Sequence, residues 1–115
     1  MHKTHTPSDY PDRWSMIKVA PSTYKIFGSW IGGYIGGEAW SLNSGIESVD
    51  EDEDFYYFYG FSGSCYRCGK RDYSIATSYS SEVLEGLLEK SGAALVKEED
   101  LEGIIGKINQ NKEDE

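Results

Sequence analysis

The stretch from residue 50 to residue 68 constrains the fold more than any other part of the chain. Five consecutive acidic residues run directly into six aromatic residues within seven positions, and a Cys-x-x-Cys follows after a short turn. Aromatic side chains favour β-strands, and here they alternate so that both faces of the strand are bulky. The pattern predicts a central strand covered on both sides. The acidic run in front of it predicts an exposed hairpin tip.

The rest of the chain fits around this strand as an α+β domain. Extended segments are predicted at residues 15–20, 23–31, 38–42, 46–49, 55–61 and 64–67, because apolar positions alternate between turn residues. Two later apolar stripes, at residues 83–88 and 101–108, have helical spacing. The predicted architecture is an antiparallel, hairpin-connected sheet of about five strands with two C-terminal helices packed on one face. A small barrel-like β fold with appended helices is the alternative.

Glycine residues at three places carry specific structural predictions. Gly28 inside the second strand indicates a bulge or the close approach of another backbone. Gly92 is expected to end the first helix as its C′ residue. Glycine pairs at residues 32–33 and 36–37 predict hairpin corners, because their pattern does not match a phosphate-binding loop.

The length of 115 residues indicates one domain. Residues 1–12, polar and with two prolines, are expected to form a flexible arm, residues 13–109 the folded domain, and residues 110–115 a disordered acidic tail. No apolar targeting segment or membrane span is visible in the sequence. We therefore expect a cytoplasmic protein without contact to a membrane, in a compartment that keeps thiols reduced.

The acidity of the chain is concentrated in its middle and C-terminal parts. The formal net charge is −9, from 20 acidic and 11 basic residues. Residues 1–37 carry +2, residues 38–69 carry −6 and residues 70–115 carry −5. Such a charge distribution repels nucleic acid and attracts basic protein surfaces. No basic stripe supports direct binding of DNA or RNA.

Catalytic groups are scarce in this sequence. The only histidines are His2 and His5, and no Gly-x-Ser-x-Gly elbow is present. The acidic run does not match a calcium-binding EF-hand, because Phe55 stands where that loop requires glycine. We therefore expect no enzymatic activity and no cofactor.

The pair Cys65 and Cys68 defines an alternative function as a small metal-binding or redox module. Zinc needs four ligands, of which this pair supplies two, and His2 and His5 could complete the set only formally. A redox pair of the thioredoxin type needs a helix beginning at its first cysteine, and no helix signal starts there. The favoured interpretation is two small, partly buried thiols at a strand end.

The function that the sequence favours is binding to, and inhibition of, a basic protein that itself binds nucleic acid. The acidic residues would imitate backbone phosphates and occupy a channel lined by lysine and arginine. The predicted contact residues are Asp50, Glu51, Asp52, Glu53, Asp54, Glu98, Glu99, Asp100 and Glu102, with Tyr56 as an exposed aromatic anchor. A self-associating domain, dimerising through edge strands and the second helix, is a further alternative.

Small acidic single-domain proteins of phages and mobile elements, including anti-CRISPR and anti-restriction inhibitors, are similar to this chain in size and charge. The similarity implies a DNA-mimicking, anti-defence role. It rests on size and charge alone, and no residue roles are carried over from those proteins.

Overall fold

The computed structural model describes residues 7–30, 40–75 and 78–113. Within them the chain forms seven strands and two helices, so the predicted α+β class is confirmed. The predictions made for His2, His5 and residues 32–37 lie outside the described residues. The strands are β1 (Arg13–Ala20), β2 (Thr23–Ser29), β3 (Trp40–Leu42), β4 (Ile46–Glu51), β5 (Phe55–Gly60), β6 (Cys65–Gly69) and β7 (Ala94–Leu95), and the helices are α1 (Ser78–Ser91) and α2 (Leu101–Glu113).

The strands form two antiparallel sheets instead of the single predicted sheet. One has four strands in the order β3-β2-β1-β7, and the other has three in the order β4-β5-β6. The hairpin connections between β1 and β2, β4 and β5, and β5 and β6 agree with the sequence pattern. The aromatic strand β5 is the central strand of its sheet, as predicted.

The main core lies between the two sheets and α2. Its residues come from alternate positions of the strands, since successive side chains of a strand point to opposite faces. Trp14 on β1 is fully buried at its centre, with ring centroids 5.9 Å from Tyr56, 5.2 Å from Phe58 and 4.7 Å from Tyr73. The Trp14 indole N–H donates a hydrogen bond of 2.6 Å to the Gly69 carbonyl. Buried side chains from all three parts close this core: Met16, Ile26, Ile46, Val49, Tyr66, Cys68, Val96, Leu101, Ile105 and Ile108.

The two helices pack on different faces of the four-stranded sheet, which corrects the prediction of a shared face. Helix α1 supplies Leu84 to a second core with Ile17 of β1 and Phe27 of β2, residues of the opposite parity to Trp14. Helix α2 supplies Ile105 to the main core instead. The four-stranded sheet is therefore covered on both sides.

Helix α2 is tied to the edge of the three-stranded sheet through Asn109. The Asn109 side-chain oxygen accepts a hydrogen bond of 3.0 Å from the Val49 N–H, and its amide donates one of 2.9 Å to the Val49 carbonyl. These two bonds satisfy backbone groups on β4, an outer strand of its sheet. The C-terminal half of α2 is thereby held against β4.

Residues of the predicted arm contact the domain. Ser8 and Asp9 each donate a backbone hydrogen bond to the Cys65 carbonyl, and the Arg67 N–H donates to the Asp9 carbonyl. A Cβ built on Gly28 would lie 3.0 Å from the Cβ of Pro11, so the close neighbour at Gly28 is a side chain and not the predicted backbone. The domain boundaries at residues 12 and 109 stay predictions.

Candidate functional site

Carboxylates from two acidic segments that are far apart in the sequence raise the pKa of the same tyrosine, Tyr56. Burial raises the pKa of Tyr56 above its ordinary value, and the charges of Glu51, Glu102 and Glu98 raise it further, while Lys70 lowers it. Glu51 ends β4, Glu98 lies in a short 3-10 helix, Glu98–Asp100, and Glu102 lies in the first turn of α2. These three carboxylates around Tyr56 form what we call the acidic surface.

The prediction that Tyr56 is an exposed anchor is wrong. Its side chain is 7% exposed and packs in the main core, where its ring lies edge-on against Trp14. The sequence predicts a strand that is covered on both faces, and Tyr56 belongs with Phe58 to the face that packs into the main core. Tyr56 is therefore a core residue that lies beneath the acidic surface.

Lys70 accompanies the carboxylates at this site. Its ammonium group lies 2.8 Å from a carboxylate oxygen of Glu51 and 5.0 Å from the centre of the Tyr56 ring. The hydrogen bond to Glu51 raises the pKa of Lys70. Because this ion pair is solvent-exposed, it contributes little to stability, but it neutralises part of the local negative charge.

The five residues of the predicted hairpin tip are not equivalent. Asp50 is half-buried within β4, opposite Tyr57, while Glu53 and Asp54 are exposed in the turn. The Asp52 carboxylate turns back onto the chain and accepts hydrogen bonds from the N–H groups of residues 54 and 55, at 2.9 and 2.8 Å. Its second oxygen accepts one of 2.8 Å from the Tyr57 hydroxyl. The hydrogen bonds of Asp52 thus shape the turn in which Glu53 and Asp54 are exposed.

The four acidic residues at the start of α2 are all exposed, but they line two different features. Glu98 and Glu102 raise the pKa of Tyr56, whereas Asp100 lines a groove that also contains three lysines. Glu99 is exposed in the same 3-10 helix. Acidic side chains at a helix N-terminus are favoured by the helix dipole, so these residues also have a local structural reason to be there.

The two cysteines lie in the strand β6, and this placement separates them. Residues three apart in a strand project to opposite faces. Cys68 belongs to the main core, where burial raises its pKa well above the ordinary value, and Cys65 lies on the other face beside Tyr59. Neither cysteine takes part in a disulfide within the described residues. The spacing that suggested a chelating or redox pair therefore gives no adjacent thiols here.

The outer face of the three-stranded sheet carries an arrangement that the sequence analysis missed. The guanidinium carbon of Arg67 lies 4.5 Å from the ring centres of both Tyr10 and Phe55. Cation–π contacts of this kind are worth about 0.5–1 kcal/mol each at exposed sites. Tyr10 precedes the folded domain in the prediction, so no local pattern connects it with Arg67.

Tyr59, on this face, makes the free energy of unfolding depend on pH in the alkaline range. Burial, together with Cys65 and Asp50, raises the pKa of Tyr59 to about 12. The unfolded chain has a tyrosine pKa of about 10. The stabilisation from protonated Tyr59 is therefore complete below about pH 10 and is lost as the pH rises towards 12.

We expect a Tyr59→Phe variant to lose less stability than the wild type between pH 10 and pH 12, because the difference in proton binding at this site is gone. Urea unfolding at pH 8, 10 and 11 measures this directly. Equal losses in the two proteins would show that Tyr59 does not titrate differently in the folded state.

The fold and the site define an acidic α+β protein with two packed antiparallel sheets. The carboxylates of its acidic surface come from β4, from the 3-10 helix and from the first turn of α2. Comparison of the chain with protein-family models, curated proteins and solved structures finds no match. Among the described residues no group of three or more His, Cys, Asp and Glu side chains is placed to hold a metal ion. None of the helices in the described ranges is long and apolar enough to cross a bilayer.

Proposed function

We propose that this chain is a protein–protein interaction module whose acidic surface binds and inhibits a basic, nucleic-acid-binding partner. The observation that supports this most is that the charges of Glu51, Glu98 and Glu102 all raise the pKa of Tyr56. Carboxylates from two distant segments thus act on the same side chain. Channels that bind nucleic acid are lined by lysine and arginine, and their affinity is largely electrostatic.

The carboxylates of the acidic surface are carried on rigid elements. Glu51 pairs with Tyr56 in the register of β4 and β5, and α2 is bonded to β4 through Asn109 and Val49. Ordering long side chains costs less when their backbones are already fixed. This rigidity suits a mimic of regularly spaced phosphates better than a flexible acidic tail would. In its sharpest form the proposal is a DNA mimic of the anti-defence kind.

The test is a double variant with a matched control. Glu98→Gln/Glu102→Gln removes two charges of the acidic surface, and Glu85→Gln/Glu89→Gln removes two exposed charges from α1, on the other face of the four-stranded sheet. A partner is first captured from a lysate of the source organism, identified by mass spectrometry and purified. We expect the first variant to bind it about tenfold more weakly at low salt, and the control within about twofold.

Competition and salt dependence distinguish a mimic from an ordinary interface. Nucleic acid that binds the partner should displace the wild-type protein, and affinity should fall steeply as salt increases. Circular dichroism of both variants checks that they fold. Equal binding by the two double variants, or a partner that nucleic acid does not displace, would contradict the proposal.

A further inference from the structure

A groove of about 450 Å³ lies between the four-stranded sheet and α2. The groove is lined by Lys18 of β1, by Lys97 just after β7 and by Lys107 of α2. All three lysines are exposed. In a chain with a formal net charge of −9, this is a local concentration of positive charge.

The positive charge of the groove is not compensated by ion pairs. Within the described parts of the chain no salt bridge involves Lys18, Lys97 or Lys107, in contrast to Lys70, which is paired with Glu51. Asp100 is the one acidic residue among those that line the groove. Unpaired ammonium groups around a concave surface favour an anionic ligand.

The interior of the groove is apolar. Tyr24 and Ile104 are half-buried against the main core, and Leu95 is 47% exposed. Gly103 also lines the groove, and a Cβ built on it would meet nothing within 4 Å. The absence of a side chain at this position leaves room inside. A cavity of this size, apolar with a few charged groups, is typical of small-molecule sites.

We propose that this groove binds a small organic anion with an apolar body. The apolar part lies on Tyr24, Leu95 and Ile104, and the carboxylate or phosphate head pairs with the lysines. None of the three carboxylates of the acidic surface lines the groove, so this inference goes beyond the proposed function and does not depend on it.

The proposal is tested by titrating the full ¹⁵N-labelled chain with four probes that share one tail. Hexanoate and hexyl phosphate carry an anionic head, hexanol carries none, and hexylammonium carries the opposite charge. We expect both anions to shift the amide resonances of Leu95, Val96, Gly103 and Ile104, with the tighter of the two identifying the preferred head. Hexanol is expected to bind at least about fivefold more weakly, since it lacks the ion pairs, and hexylammonium should not shift these resonances.

Two glycines of α2 provide a matched pair of variants. Gly103→Leu fills the groove, whereas Gly106→Leu adds the same side chain at an exposed position of the helix that does not line it. A Cβ at either glycine meets no atom within 4 Å, so both variants are expected to fold. Gly103→Leu should weaken hexanoate at least about tenfold, as loss of the apolar contact area predicts, and Gly106→Leu should leave it unchanged.

A third variant, Lys18→Gln/Lys107→Gln, removes charge without filling the groove. We expect it to lower affinity for hexanoate about threefold to tenfold and to leave binding of hexanol unchanged. The proposal is overturned if neither anion shifts the groove resonances at about 10 mM, a concentration well above a 1 mM Kd. It is also overturned if hexanol binds as tightly as hexanoate, or if Gly103→Leu binds like the wild type.

Discussion

A Trp14→Ala variant is expected to be about 3–5 kcal/mol less stable than the wild type, close to the full stability of a marginal domain. Trp14 is fully buried and contacts three other aromatic rings that belong to both β5 and the chain after β6. Removing the indole leaves a cavity where the two sheets meet. Urea unfolding followed by far-ultraviolet circular dichroism measures the loss.

Trp14→Phe and Trp40→Phe show how much of the loss in stability is specific to the buried site. Both variants replace a tryptophan by phenylalanine, but only Trp14 is fully buried. Trp14→Phe keeps an aromatic ring but removes the indole donor to the Gly69 carbonyl, which retains its bond from the Asp72 N–H, and leaves a smaller ring in the buried site. The combined cost is about 1–3 kcal/mol. Trp40 is 37% exposed and stacks on Phe27 at 5.6 Å, so Trp40→Phe should cost less than about 1 kcal/mol. If the two Phe variants were equally stable, Trp14 would not be the centre of the core.

The sequence predicts those parts of the fold that local patterns determine. The alternation of aromatic residues in β5 is visible in the sequence because the side-chain period of a strand is two. Gly92 has a φ of 70°, and its N–H donates to the Leu88 carbonyl at 3.1 Å, as a C′ glycine should. The spacing of Cys65 and Cys68 also determines that the two thiols lie on opposite faces once both are in one strand, because residues three apart in a strand project to opposite faces.

Contacts between distant segments could not be predicted in this way. Both sheets are built from similar alternating strands, and nothing local indicates that β7, a strand of two residues, joins β1 rather than β4. Likewise no local pattern indicates that Glu51 and Glu98 both raise the pKa of Tyr56, or that Asn109 of α2 bonds to Val49 of β4. A sequence pattern gives the charge of each segment but not its neighbours.

Asp52 illustrates the same limit within a single run of acidic residues. In the sequence it is one of five equivalent carboxylates, and in the structure it accepts hydrogen bonds from two backbone N–H groups and a tyrosine hydroxyl. Hydrogen bonds to a charged acceptor contribute about 1.5–3 kcal/mol when well formed. Because Asp52 is exposed and water replaces part of each bond, we expect Asp52→Ala to lower the free energy of unfolding by about 2 kcal/mol, which is less than the sum of three such bonds.

Asp54→Ala is the matched control, since it removes an equally charged, exposed side chain from the same turn. It should change stability by less than about 0.5 kcal/mol. Asp52→Asn keeps an oxygen for the two N–H groups but loses the charge, so an intermediate loss of about 1 kcal/mol is expected. Equal stability of the two alanine variants would mean that solvent replaces the Asp52 bonds. A loss confined to Asp52 would instead show that this carboxylate holds the turn in shape while Glu53 and Asp54 remain available to a partner.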